Sequence, residues 1–126
     1  SAANKAQKPT DKIKYLQKAD SVYMDIASKF PEYKAYGTYM RATMNSNMDP
    51  DFKKGLAKPF YEQLINIVEG HTTKGSNDDA YLKSAYYYLG AYYYTQGNKT
   101  DGNIYWKKLL DVDPENTTAK EALGIK

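Results

Sequence analysis

Apolar and polar positions along the chain follow the period of a helix and not that of a strand. A small residue, an aromatic four places on and an aliphatic three beyond it recur as Ala19, Tyr23, Ile26, as Ala57, Tyr61, Leu64, and as Gly102, Trp106, Leu109. Steps of four and three put the members of each set on one stripe of an α-helix. Tyr81, Tyr86, Tyr87, Tyr88, Tyr92, Tyr93 and Tyr94 crowd a single short segment. Their triplets favour a strand by propensity. Strict alternation is absent, however, and Tyr86, Leu89 and Tyr93 stand at helical spacing, so a helix is expected. The pattern predicts six helices, near residues 10–29, 32–46, 51–69, 78–96, 99–112 and 115–124.

Punctuation residues refine these limits. Asp49-Pro50 and Asp113-Pro114 each read as an N-cap followed by proline at the first helical position, where a missing N–H costs nothing. Asn77, Asp78 or Asp79 can cap the tyrosine-rich helix, their charge favourable at the positive end of its dipole. Gly97-Asn98 ends that helix with residues that tolerate a left-handed backbone. Pro59 conflicts with a helix running from 51, because it would remove a bond to the Gly55 carbonyl. Either a kink or a helix starting near Lys58 is expected there. The turn formers at 45–50 and 70–77 are expected to form solvent-exposed loops. Residues 1–10 carry no apolar stripe and read as a tag remnant or linker, leaving 11–126 as the helical domain.

The pair Leu89-Gly90 recurs as Leu123-Gly124, 34 residues later. Tyr86, Leu89-Gly90 and Tyr93 are followed by Gly102, Trp106 and Pro114, and Pro31 lies twelve residues after Ala19, as Pro114 does after Gly102. On these residues the chain resembles a tetratricopeptide repeat (TPR) protein over nearly its whole length. The resemblance implies an all-α fold: an antiparallel helix-pair solenoid of about three repeats with a C-terminal capping helix. Ala19, Tyr23, Pro31, Ala57, Tyr61, Tyr86, Leu89, Gly90, Tyr93, Gly102, Trp106 and Pro114 would be its structural positions. Residues 12–31 then correspond to the second helix of a repeat without its first, so a C-terminal fragment of a longer bacterial protein is expected. The middle repeat is longer than the period, and the two loops absorb the surplus. In such proteins the first helices of successive repeats line a concave groove that grips a peptide. By position that groove would present Ser84, Tyr87, Ala91 and Tyr94, with Ala35, Thr38, Ala42 and Asn45 from the preceding repeat. None of Thr38, Ala42, Tyr87 and Ala91 is basic, and Arg41 falls where the pattern has its packing glycine. A clamp for a C-terminal carboxylate is therefore not expected.

Composition narrows the function. The 126 residues are 41% hydrophobic and 26% charged with 14 tyrosines, which suits one folded domain and excludes a disordered chain. No apolar run approaches the roughly 20 residues that span a bilayer. Cysteine is absent, which removes disulfides, thiolate metal sites and thiol nucleophiles together. The net charge of +3 resides in residues 1–31, too weak a surplus for a nucleic-acid footprint. His71, the single histidine, has no partners at metal-ligand spacing and reads as a solvent-exposed loop residue. Asp78-Asp79 are adjacent on a helix and do not face each other, so they read as caps. Lys53-Lys54 and Lys107-Lys108 read as solvated helix faces.

No catalytic or metal motif appears, so neither enzyme activity nor a cofactor is expected. Three readings of the surplus tyrosines stay open: packing between helices, a peptide or protein groove, and stacking on sugar rings. The expected function is a non-catalytic protein- or peptide-binding scaffold or adaptor. The alternatives are a cell-envelope module handling glycans or nutrient uptake, and a purely architectural role such as homo-oligomerisation. Resemblance and the absence of cysteine lean localisation towards the bacterial periplasm or envelope.

Overall fold

The computed structural model describes residues 9–126. Among the described residues the chain is all-helical and has no strand. Its elements are α1 (Pro9–Lys29), a 3-10 helix (Pro31–Tyr33), α2 (Lys34–Met48), α3 (Lys58–Glu69), α4 (Asp78–Thr95), α5 (Lys99–Val112) and α6 (Thr117–Leu123). They fall into two compact units divided after Phe60. Of the stretch read as a linker, residues 1–8 lie outside the described residues, while Pro9 and Thr10 already belong to α1.

In the first unit α1 and α2 form an antiparallel hairpin whose closest approach is at Gly37. A Cβ there would come within 2.8 Å of the Ala27 Cβ and 2.9 Å of the Tyr23 carbonyl oxygen, so only glycine fits. Further from the turn, the Asp20 carboxylate accepts from Arg41 Nε at 2.9 Å, from Arg41 Nη2 at 3.1 Å and from Asn45 Nδ2 at 3.0 Å. Such two-pronged, partly buried pairing is stronger and more directional than a single exposed ion pair. The same guanidinium lies 4.4 Å above the Phe60 ring. Between the helices Phe30 is extended, as the residue before a proline prefers, and Pro31 opens the 3-10 helix. That turn delays α2 to Lys34, two residues beyond the limit read from the pattern.

The segment after α2 departs most from expectation. Asp49 closes α2 and caps no following helix, because α3 begins only at Lys58. Pro59 therefore sits in the first turn of α3, where its missing N–H goes unfelt, and no kink is needed. The Asp49 side chain, 6% exposed, turns onto the loop and accepts N–H groups from Lys54 at 3.2 Å, Gly55 at 2.8 Å and Leu56 at 3.3 Å. Phe52 and Gly55 adopt positive φ, 61° and 65°, to bring those N–H groups round. The stretch 45–50 is thus not an exposed loop: Asn45–Met48 complete α2, and Asp49 is buried.

In the second unit α4 and α5 form a second antiparallel hairpin, with Tyr94 against Gly102, Gly90 against Trp106, and Lys83 Nζ 3.2 Å from Asp113 Oδ2. A Cβ at Gly90 would lie 2.6 Å from Trp106 Cε2. Leu64, Leu89 and Leu109, one from each of α3, α4 and α5, are fully buried. Gly97 ends α4 at φ 79°, its N–H donating to the Tyr94 carbonyl at 3.0 Å while Asn98 N donates to Tyr93 at 2.8 Å, which satisfies two terminal carbonyls. Asn98 then caps α5, its side chain accepting from Asp101 N.

At the start of α6 the cap is Asn116, which accepts from Ala119 N at 2.9 Å, and not Asp113 as the sequence suggested. Asp113 closes α5, Pro114 lies in the intervening turn, and α6 begins at Thr117 and not 115. Hydrogen bonds from Asn116 and Lys83 hold the Asp113 carboxyl below its usual range. Gly124 ends α6 at φ 71°. The two Leu-Gly pairs that set the 34-residue period therefore differ in role: Gly90 admits Trp106 in mid-helix, whereas Gly124 terminates a helix.

Candidate functional site

The tyrosine-rich segment is a helix, as its spacing required, and α4 distributes its rings over three directions. Towards α5 lie Tyr86, Gly90, Tyr93 and Tyr94. Towards α3 lies Tyr88, its ring centroid 4.8 Å from that of Tyr61. Bordering the α5 face runs a strip of Ser84, Tyr87 and Ala91, three and four residues apart. Ser84 and Ala91 are half-buried, and Tyr87 is 45% exposed. The Tyr87 ring is fixed edge-on against Trp106, centroids 5.6 Å apart and planes at 87°. Trp106 is itself buried, so the exposed ring rests on an immobile base.

The other groove positions are committed elsewhere. Tyr94 donates its hydroxyl to Asn103 Oδ1 and lies 3.1 Å from the Ala122 carbonyl, and its ring packs edge-on against Trp106. It holds the second unit together, a role that its position in the sequence pattern did not indicate. Thr38 and Ala42 are buried in the first unit and Ala35 is half-buried. Asn45 donates to Asp20 and to the Arg41 carbonyl.

A succession of rings runs through the second unit from Tyr61 to Tyr88, Tyr92, Tyr93, Tyr105 and Tyr86, with no step longer than 6.3 Å. At its end the Tyr86 hydroxyl donates to Glu69 Oε1 at 3.4 Å. Burial first, then the charge and hydrogen bond of Glu69, push the Tyr86 phenol up to about 12. Lys108 lies 5.8 Å above the same ring. Lys53, Lys54, Lys107 and Lys108 are all exposed, but only Lys107 and Lys108 lie on a helix face; Lys53 and Lys54 stand in the loop before α3.

The loop 70–77 is exposed as expected except at half-buried Gly75, but His71 is not isolated. Its Nδ1 lies 2.9 Å from Asp78 Oδ2, the same oxygen that accepts the Gly75 N–H at 2.8 Å. The Asp78 side chain is 7% exposed and latches the loop, while Asn77, the N-cap of α4, makes no side-chain capping bond. Asp79 pairs with Lys74 at 2.8 Å. Capping of α4 by these side chains is thus replaced by loop closure. The spacing of seven between His71 and Asp78 gave no cue, because a loop and not a helix brings them together.

Burial alone would raise the Asp78 carboxyl, but the bonds from His71 and Gly75 and the charges of His71 and Lys74 outweigh it and hold the group below 3.8. A depressed folded-state value means that the latch contributes fully above the unfolded value and is lost as pH falls through the folded one. Thermal midpoints should accordingly decline as pH drops below about 4. Asp78→Asn should be less stable than wild type near neutrality and show a flatter decline in the same acid titration.

Among the described residues no group of three His, Cys, Asp or Glu could hold a metal ion, and no helix is long and apolar enough to cross a membrane. What the α4 strip offers is a rigid aromatic edge with a small residue one turn to either side. Compared with known proteins, the chain matches no family model, no curated protein and no solved structure.

Proposed function

We propose that the chain is a non-catalytic protein- or peptide-binding module, built of TPR-like helix pairs and presenting the Ser84, Tyr87 and Ala91 face of α4 to an extended peptide. The observation that carries this reading is Tyr87: a large amphipathic ring, 45% exposed, held at right angles to buried Trp106. A ring immobilised before binding loses little side-chain entropy when a ligand packs on it, which is why tyrosine dominates many binding surfaces. Ser84 and Ala91 leave room on both sides for a partner backbone. Two glycine-mediated hairpins, at Gly37 and Gly90, support the helix-pair architecture.

Selection of a random peptide library against the folded chain tests the proposal. Enriched peptides should bind Tyr87→Ala at least about tenfold more weakly, equivalent to about 1.4 kcal/mol, with an unchanged far-UV circular dichroism spectrum. A library that yields no binders, or binders indifferent to Tyr87→Ala, overturns it.

A further inference from the structure

The chain has no cysteine, so a disulfide cannot tie its helices together, yet it carries 14 tyrosines. Oxidation offers tyrosine a different covalent bridge. One-electron oxidants convert a phenol to a phenoxyl radical, and two such radicals join through the carbons ortho to their oxygens. The new bond grows from orbitals perpendicular to each ring, so it demands rings that lie face to face. It also demands that both rings be reachable, because two electrons must leave.

A pair that meets both demands lies across two helices. Tyr93 of α4 and Tyr105 of α5 are stacked with centroids 5.9 Å apart and planes within 6° of parallel, and both are half-buried. Tyr61 and Tyr88 are closer, at 4.8 Å, but only 7% and 4% exposed. Tyr23 and Tyr36 are accessible, but their planes stand at 78°. Tyr88 and Tyr92 are stacked within one helix, with Tyr88 buried. We propose that Tyr93 and Tyr105 form an oxidative cross-linking site, at which a one-electron oxidant of the peroxidase class joins α4 to α5 through a dityrosine bridge.

The chemistry balances. Each phenol loses one electron and its hydroxyl proton, one carbon–carbon bond forms between the rings, and the hydrogens on the two bonded carbons move to the oxygens as the rings regain aromaticity. The product is lighter by two hydrogen atoms, and the two electrons and two protons reduce one hydrogen peroxide to two waters. A neighbouring half-buried ring serves the same pair. Tyr92 lies 5.2 Å from Tyr93, so an electron vacancy created at Tyr92 passes in one short step to the stack.

Treating the dilute chain with peroxidase and hydrogen peroxide, isolating the monomer and digesting it with trypsin tests this. Lys99 lies between the two positions, so cleavage separates their peptides unless a bridge joins them. The expected result is dityrosine fluorescence in the monomer and a linked pair containing Tyr93 and Tyr105, lighter by two hydrogens. The bridged monomer should also unfold at a higher temperature, because a covalent link restricts the unfolded chain. Tyr105→Phe should abolish that linked pair, whereas Tyr23→Phe should leave it intact. A monomer without dityrosine, or one whose links join Tyr23 to Tyr36 or Tyr61 to Tyr88 in equal or greater yield, overturns the proposal on the wild-type chain alone.

Discussion

Trp106→Ala should lower the unfolding free energy of the second unit by about 3–5 kcal/mol, the range for deleting a large buried aromatic. The residue is 3% exposed and faces Gly90, Tyr87 and Tyr94, so its removal empties the centre of the α4–α5 contact. The loss should be one of packing and not of hydrogen bonding, because Trp106 Nε1 is buried and makes no hydrogen bond among the described residues. Trp106→Phe should therefore cost distinctly less, about 1–2 kcal/mol, since it keeps most of the apolar volume and removes only an unsatisfied donor. Gly90→Ala supplies the converse. Its methyl would stand 2.6 Å from the indole and should cost about 1–3 kcal/mol through overpacking. In the Trp106→Ala background the same methyl enters the vacated space, so the double variant should lose less than the two single losses combined. Urea unfolding followed by far-UV circular dichroism measures all four, because the chain's one tryptophan is lost as a fluorescent reporter. A strictly additive double variant would show that Gly90 and Trp106 do not share a cavity.

This contact also shows what the sequence discloses and what it withholds. Gly90 and Trp106 were both legible, because the small-aromatic-aliphatic stripe and the mid-helix glycine are local patterns and helix packing obeys them. The limits of α4 and α5 follow for the same reason, with Gly97-Asn98 marking the break. Tyr94 was read as a groove residue because position alone cannot reveal that its hydroxyl reaches the Ala122 carbonyl, 28 residues away. Tyr87, exposed on the strip it was assigned to, stands seven residues from Tyr94, nearly two turns away and only about 20° round the helix. The Asp-Pro pairs failed for another reason. Aspartate accepts backbone N–H groups equally well at a helix start and from within a loop, and the two uses look alike in sequence. Only where the N–H groups lie decides between them, and that depends on the positive φ of Phe52 and Gly55.

Asp49 is where that ambiguity carries the largest energetic consequence. Asp49→Ala should destabilise the first unit by about 2–4 kcal/mol, since buried or half-buried donors left unsatisfied cost about 1–3 kcal/mol each and solvent recovers part of the loss. Three backbone N–H groups, of Lys54, Gly55 and Leu56, depend on this one carboxylate. Gly55 N sits closest to it, at 2.8 Å, so its amide proton should lose the most protection from hydrogen exchange. Asp49→Asn separates acceptor geometry from charge. The amide oxygen can still receive Gly55 N but lacks the second equivalent oxygen and the negative charge, so a loss of about half is expected, given that hydrogen bonds to ionised acceptors are roughly twice as strong. Asp49→Glu keeps the charge but places it one methylene further into a loop wound tightly around the shorter side chain, and should not restore stability. Urea unfolding of the three variants, with exchange read at Lys54 to Leu56, decides the matter. If Asp49→Ala loses under about 1 kcal/mol with those amides still protected, the turn into α3 is set by Pro59 and the glycine backbone instead, and the carboxylate merely occupies a loop that would form without it.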